Sequence, residues 1–358
     1  MRVWTVSDLH AEYKQNMKWL EDISLNEYQQ DTLIVAGDVA NSLELVRSVL
    51  EVLVKRFARV FYTPGNHDLW VKTRGVTETD SLARYRELMD ACQQLGVHTR
   101  PLRVGPVWIV PIVSWYHNDF DTEPDLVVPL GMSLKQSVPP IQKACSDYRM
   151  CVWPRSVHEE GQDPGGRALA ELFDQMNEPS LTQLETVLEM ERDDPHPPDV
   201  ITFSHFLPRL ELIPEKRMLF FAGLPQAVGS TFVEDRLRAL GSKAHIFGHT
   251  HFLWDQVIDG VRYVQFALGS PKEQERRNPY GEVAELFLLY DSERGGFAPE
   301  KVYFWPEYYR NNERDPANPA MAPYTAKIYC PEAPVVDLPD AMKSLNIVRQ
   351  KQKEDSPV

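Results

Sequence analysis

The 358-residue chain is poor in cysteine, with only Cys92, Cys145, Cys151 and Cys330. They show no Cys-x-x-Cys spacing and are too sparse for a disulfide framework. They are read as reduced thiols, which argues for a cytoplasmic protein. No apolar run approaches the roughly 18 residues needed to span a bilayer, so no membrane segment is expected. The strand-like run Val3-Trp4-Thr5-Val6 begins almost at Met1, which leaves no room for a charged and then apolar leader. An organelle address would require a trimmed N-terminus. Positive charge is scarce as well: 38 Lys and Arg stand against 52 Asp and Glu, for a net charge of -14. An acidic surface has no general attraction for nucleic acid or anionic membrane. Any phosphate-bearing ligand must therefore be captured locally.

What the sequence does contain is an alternation of strand and helix patterns. Apolar strands over residues 3–7, 32–36, 59–63 and 107–112 alternate with helical patterns over 16–24, 42–57 and 79–95. This order predicts a sheet with a parallel core and helices packed outside it. From 116 to 166 the periodicity breaks down in a stretch rich in Pro, Asp and Gly that carries Tyr116, His117, Tyr148 and Trp153. Such an insertion is either a functional lid or a disordered loop, and its aromatics favour the ordered form. A helix over 181–191 is stopped by Pro195, Pro197 and Pro198.

Further strands are expected over 199–204 and 244–247, with a helix over 231–240 between them. Runs over 253–258 and 261–267 flank Asp259-Gly260, a hairpin signal because both central turn positions favour positive φ. Strands over 284–290 and 301–304 would complete a domain spanning 1–304, with the insertion at about 116–166. Residues 305–358 are polar and proline-rich, and predict an extended tail wrapped on the body and then frayed.

Five short blocks carry the chemistry: Asp8-Leu9-His10, Gly37-Asp38, Gly65-Asn66-His67-Asp68, Ser204-His205 and Gly248-His249-Thr250-His251. Each follows an apolar strand, and α/β sheets bind ligands outside the carboxyl ends of their strands. Imidazole and carboxylate together suit zinc, manganese or iron, whereas an all-oxygen set would suit calcium or magnesium. The Asp-x-His and His-x-His pairs are expected to alternate along extended backbone, so that both side chains face one side. Two metals about 3.5–4 Å apart can clamp a phosphoryl group and generate a bridging hydroxide at neutral pH. Taken singly, each block has an ordinary explanation: Gly37-Asp38 is a turn, and His205 is a buried histidine. Their joint occurrence at five strand ends has none.

In this order the blocks resemble those of the calcineurin-like metallophosphoesterase superfamily. The run Phe-Ser-His-Phe-Leu-Pro-Arg at 203–209 looks like an uncharacterised plant and algal-type branch of it. The resemblance covers residues 8 to 251. It implies an α/β fold, a four-layer αββα sandwich of two mixed β-sheets with outer helices. It implies one divalent metal on Asp8, His10, Asp38 and His251 and a second on Asp38, Asn66, His205 and His249. Asp38 and a water or hydroxide would bridge them. The ions would be manganese, iron or zinc, with magnesium also admissible. His67 would act as general acid or transition-state donor, with Asp68 orienting its imidazole. Asn41 stands where purple acid phosphatases carry a tyrosine, and Val39-Ala40-Asn41 replaces the Asp-Arg-Gly of the protein Ser/Thr phosphatases. The pattern is nearest to small-molecule and cyclic-nucleotide phosphodiesterases, yet it also serves phosphomonoesterases.

A small phosphorylated substrate would need cations besides the metals. Arg209 is the first candidate, then Arg276 and Arg277, with Arg217 and Lys272 further off. His117, Trp70, Trp115 and Tyr116 are candidates to line the pocket. Two other readings compete: a scaffold or interaction module, which predicts eroded motifs, and a nuclease, which predicts a basic groove. No motif speaks to oligomeric state.

Overall fold

The computed structural model describes residues 1–73, 76–77, 79–154, 157, 165–277 and 285–339. The strands are β1 (Arg2–Val6), β2 (Thr32–Ala36), β3 (Arg59–Thr63), β4 (Lys72–Thr73), β5 (Val76–Thr77), β6 (Leu102–Val104) and β7 (Val107–Pro111). They continue as β8 (Asp199–Phe203), β9 (Ala244–Phe247), β10 (Trp254–Ile258), β11 (Val261–Gln265), β12 (Phe287–Asp291) and β13 (Gly296–Phe297). The helices are α1 (Lys14–Asp22), α2 (Leu43–Val54), α3 (Ser81–Leu95), α4 (Ile141–Ala144) and α5 (Asp147–Met150). After these come α6 (Arg167–Met190), α7 (Thr231–Ala239), α8 (Pro271–Arg277), α9 (Phe304–Asn311) and α10 (Pro323–Tyr329).

One sheet of five strands runs β13-β12-β1-β2-β3, and a second of six runs β10-β11-β9-β8-β7-β6. Both are mixed: β1-β2-β3 and β7-β8-β9-β11 pair in parallel, and the outer strands pair antiparallel. Strand β2 shows why the sheets stack. Every residue in it is buried, and alternate side chains go opposite ways. Leu33 and Val35 pack with Leu20 of α1 and Val46, Val49 and Leu53 of α2. Ile34 and Ala36 pack with Ile201, Phe203, Ile246 and Val264 of the facing sheet. On the far side Val110 and Val200 are covered by Leu181 and Leu184 of α6. The result is the expected order of helices, sheet, sheet, helices.

Several elements differ from the sequence reading. Helix α6 begins at Arg167, well before 181, and continues through Pro179. Its first half, with Leu169, Ala170 and Phe173 buried, was hidden by that proline and by the irregular stretch before it. No strand forms over 301–304, where Phe304 opens α9; the small strand is β13. The 116–166 stretch contributes Trp153 and Cys151 to the main core, beside Trp115 and Tyr116. Residues 155–156 and 158–164 of it lie outside the described residues, as do 340–358 of the tail.

The tail from 305 to 339 is not extended: α9 and α10 dock on the body. Tyr324 Oη donates to the Met218 carbonyl at 2.7 Å, and Thr325 Oγ1 to that of Leu219 at 2.8 Å. Buried Glu215 accepts from Tyr309 Oη at 3.2 Å and from Arg217 at 3.0 Å. Among the described residues, no helix is long and apolar enough to cross a membrane, and all four cysteines are free.

Candidate metal centre

The five blocks sit where neighbouring strands of two facing sheets end. Strands β1, β2 and β3 are adjacent in one sheet and deliver Asp8, His10, Asp38, Asn66 and His67. Strands β8 and β9 are adjacent in the other and deliver His205, His249 and His251. The chain does not leave these strands extended. Asp8, His10, Asp38, His249 and His251 have φ of 53°, 44°, 54°, 75° and 58°. The only other described non-glycine residue with positive φ is Asp259, in the β10–β11 turn. The paired side chains therefore share a side through left-handed turns, not through strand alternation. Such conformations cost on the order of 1 kcal/mol each and gather at functional sites. Close approach is enforced by glycine: a Cβ on Gly65 would lie 2.1 Å from Asp38 Oδ1 and 2.7 Å from His205 Nε2.

Three groups of potential ligand atoms result among the described residues; one, His10, Glu12 and His67, shares His10 with the first of the other two. Asp8, His10 and His251 form that first group, and Asp38, His205 and His249 the second, each with its atoms within 4.8 Å of one another. In the first, His10 Nε2 is 3.1 Å from His251 Nε2, which is 3.3 Å from Asp8 Oδ1. In the second, Asn66 Oδ1 is 3.1 Å from His205 Nε2 and 2.9 Å from His249 Nδ1. Asp38 Oδ2 lies between the groups, 3.4 Å from His205 Nε2 and 4.0 Å from His10 Nε2. Ligands about 2.0–2.1 Å from one ion are separated by about 2.9–3.4 Å in tetrahedral or octahedral geometry. The spacings and the N/O donor set fit a pair of divalent ions sharing Asp38.

Residues that the sequence reading missed fix the rings. His10 Nδ1 meets Glu12 Oε1 at 3.2 Å, and His251 Nδ1 meets Glu273 Oε2 at 3.0 Å. His205 Nδ1 donates to the Ala36 carbonyl at 2.9 Å, and His249 Nε2 to that of Ala227 at 2.9 Å. Each outer nitrogen is thus held, which sets the nitrogen left for an ion. Buried Asp147 accepts from Asn66 Nδ2 at 2.9 Å. Glu12 was detectable as a neighbour of His10. Glu273 was masked by the basic run around it, and Asp147 lies 81 residues from Asn66 with no local signal.

The cluster is electrostatically polarised. Burial pushes Asp8 up, but His251 and His205 outweigh it and hold the carboxyl at about 2. Burial pushes His205 down, but Asp38 raises it to about 9; His251 is likewise raised by Glu273 and Asp8 against burial. These carboxylates call for compensating positive charge, and a divalent ion supplies it with release of the imidazole protons. Burial lowers His249 to about 4 and also lowers His67.

His67 stacks on Trp70 with ring centroids 3.7 Å apart, and its Nε2 is 3.9 Å from Asp38 Oδ2. Its Nδ1 is buried without a hydrogen-bond partner among the described residues. Asp68 does not orient this ring. Its carboxylate accepts from the N–H groups of Asp38, Val39, Ala40 and Gly65 at 2.9–3.0 Å, and so ties the second and third blocks together. Burial and the nearby Asp38 raise it to about 7.

A cavity of about 2010 Å³ opens on the cluster, lined there by Asn66, His67, Trp70, His249 and His251. Its other walls come from residues of the insertion, such as Lys135 and Asp147, and from the C-terminal segment, such as Tyr308 and Lys327. Arg276 and Arg277 line it too. Arg277 is spent on the carbonyls of Ala267 and Leu268, whereas Arg276 makes no ion pair with any described residue. Arg209 is not among the lining residues; Glu211, Glu234 and Asp259 hold it at 2.7–3.4 Å. His117 is fully buried, pairs with Asp119, and accepts the Thr231 N–H at the start of α7 at 3.2 Å. Arg217 is committed to Glu215 and the Ala320 carbonyl. Trp115 packs against Trp153 and Phe206 in the core.

Two facing mixed sheets carry Asp, Asn and His at their carboxyl ends, a donor set suited to metal-dependent hydrolysis of phosphoesters. The family profile of the calcineurin-like phosphoesterases matches residues 1–133 of the chain. That family implies divalent metal ions, and the His and Asp groups here are candidates to hold them. The chain is 28% identical over 299 residues to the acyl-carrier-protein phosphodiesterase PptH of Mycobacterium tuberculosis, covering 79% of this chain and 82% of that protein. The crystal structure of phosphopantetheinyl hydrolase (PptH) from Mycobacterium tuberculosis superposes with a TM-score of 0.55 at 27% identity, covering 83% of this chain and 98% of that one.

Proposed function

We propose that the chain is a dinuclear-metal phosphodiesterase that hydrolyses an extended phosphodiester. The observation that carries this is the meeting of two ligand groups, with Asp38 Oδ2 3.4 Å from His205 and 4.0 Å from His10, beside a cavity of about 2010 Å³ that reaches Asn66, His67, His249 and His251. That volume is about twice the upper range of pockets for drug-sized molecules. It supports a substrate larger than the small phosphorylated molecule that the sequence reading suggests. The likeness to an acyl-carrier-protein phosphodiesterase supports the same choice, and diester over monoester.

Asp8, His10, Asp38 and His251 would hold one ion, and Asp38, Asn66, His205 and His249 the other. Manganese, iron and zinc suit this donor set. When bound, such a pair supplies Lewis acidity toward phosphoryl oxygens and lowers the pKa of coordinated water. Hydrolysis adds water across one P–O bond and yields a phosphomonoester and an alcohol. His67 faces the cavity beside Asp38, and its lowered pKa keeps the ring neutral at pH 7. Its role is to donate an N–H hydrogen bond to the departing oxygen, whose proton comes from the water consumed. Arg276 is a cation available to a phosphoryl or adjacent anionic group, with Lys135 and Lys327 also on the cavity wall. The intact ligand set argues against a scaffold, and the net charge of -14 against a nuclease.

The test is hydrolysis of bis(p-nitrophenyl) phosphate, p-nitrophenyl phosphate and a phosphopantetheine-modified acyl carrier protein by protein loaded with manganese. Turnover of the diesters is expected to exceed that of the monoester, and His67→Ala is expected to lower kcat by about 100-fold or more. A protein with two bound ions that is inert on all three substrates rules the reading out.

A further inference from the structure

Asn66 is an unusual candidate ligand because its two ends differ: only Oδ1 has a lone pair to offer, while Nδ2 carries two hydrogens. Its orientation must therefore be imposed. The residue that imposes it comes from the irregular 116–166 stretch. Asp147 is 1% exposed, and its carboxylate oxygens act as acceptors. Its Oδ1 takes the Asn66 Nδ2–H at 2.9 Å, which leaves Asn66 Oδ1 facing His205 Nε2 and His249 Nδ1. The same Oδ1 takes the Trp70 Nε1–H at 2.7 Å, and the Trp70 ring lies against His67 at 3.7 Å. One buried oxygen thus touches both a candidate ligand and the ring that backs His67. Cys145 Sγ donates to the other oxygen at 3.3 Å.

The carboxylate is held firmly. The Met150 carbonyl accepts the Val71 N–H at 3.0 Å, and the Val152 carbonyl accepts the Ser81 N–H at 2.7 Å. Ser81 Oγ in turn accepts the Val152 N–H at 3.0 Å. These bonds fasten residues 150–152 to the chain on either side of β4 and β5, just beyond Trp70. A carboxylate buried beside neutral donors has a desolvation cost that a merely structural position would avoid with a neutral side chain.

We infer that Asp147 is a positioning residue: it holds Asn66 with its carbonyl oxygen toward the second half-site and, through Trp70, fixes the plane of His67. The 116–166 insertion then supplies part of the catalytic centre's support rather than a cover alone. This rests on the reading of Asn66 as a metal ligand.

The experiment compares wild type, Asp147→Ala, Asp147→Asn and Trp70→Phe as full-length proteins. Manganese is titrated calorimetrically into chelator-treated samples, and kcat and KM are measured on bis(p-nitrophenyl) phosphate. Wild type is expected to bind two ions. Asp147→Ala is expected to lose about 10–100-fold affinity at one site only, with a fall in kcat and little change in KM. Asp147→Asn keeps an acceptor oxygen and is expected to recover most of both. Trp70→Phe keeps the stack but loses the N–H; it should bind both ions normally and lower kcat modestly. Two sites of wild-type affinity in Asp147→Ala overturn the inference while leaving the metal-centre reading intact, whereas a wild type that binds no manganese removes that reading itself. If Asp147→Ala fails to fold, Asp147→Asn and Trp70→Phe decide: an Asp147→Asn protein with one site weakened and kcat well below wild type, or a Trp70→Phe protein with wild-type kcat, overturns the positioning role.

Discussion

The two halves of the proposed metal rim each pair two imidazoles with one oxygen donor, Asp8 in one and Asn66 in the other, and are backed differently. In the half formed by Asp8, His10 and His251, both imidazoles lean on carboxylates, Glu12 and Glu273. In the half formed by Asn66, His205 and His249, both lean on backbone carbonyls, those of Ala36 and Ala227. A carboxylate behind an imidazole makes it a stronger donor than a neutral carbonyl does. The first half is therefore the richer in negative charge, and it is expected to hold its ion more tightly and to release it last to a chelator.

The largest test of this contrast removes what the halves share. Asp38→Asn is expected to empty both halves and lower phosphodiester hydrolysis by more than about 100-fold, beyond the range for partners of ligands. Metal analysis showing one ion retained would mean that Asp38 serves a single half. Next, Glu273→Gln is expected to weaken the tighter ion by about 10–100-fold and bring the halves level in a graded chelation series; an unchanged order of release would break the comparison. Arg276 stands on α8 with Glu273, and Arg276→Ala is expected to raise KM about 10-fold with kcat nearly unchanged, the loss of one charge-assisted contact.

A pH test addresses the scaffold under the second half. His245 is buried beneath it on β9, between Thr202 Oγ1 at 2.8 Å and Ser204 Oγ at 3.0 Å. Burial lowers it from 6.5 to about 3. A histidine depressed in the folded state contributes stability above its unfolded pKa. That stability erodes as pH falls from 6.5 toward 3, by up to about 1.4 kcal/mol per pH unit. Denaturant melts across that window should show a shallower slope in His245→Gln than in wild type. The smallest effect is expected at Arg209, outside both halves. Arg209→Ala should leave kcat and KM unchanged and lower stability by about 1 kcal/mol or less.

The rim and the cavity around it were unequally legible in the sequence. Each strand-end block is local: Asp8-Leu9-His10 and Gly248-His249-Thr250-His251 announce themselves within four residues and follow short, largely buried apolar strands. The partners of those ligands are not local. Asp147 reaches Asn66 across 81 positions, and Glu273 reaches His251 across 22. No periodicity encodes such contacts; they exist only once the insertion and α8 have packed. Arg209 shows the reverse failure. Its place four residues after His205 made it a natural phosphate ligand, but Glu211, Glu234 and Asp259 reach it first. The helices of the C-terminal segment were missed because α9 and α10 are short, only 8 and 7 residues, and proline-bearing. Isolated helices of that length are not stable, and tertiary packing alone selects them.

The left-handed turns at the strand ends also act as a filter on chemistry. Asp, Asn and His tolerate positive φ better than other residues with side chains. At positions 8, 10, 38, 249 and 251 the backbone therefore admits few alternatives, and those it admits are oxygen and nitrogen donors. A change of preferred ion has little room to arise by exchanging these ligands for thiolates or for longer side chains. It must arise behind them, at Glu12, Glu273 and the carbonyls of Ala36 and Ala227. The vocabulary of the rim is closed, and its tuning is left to residues that never touch an ion.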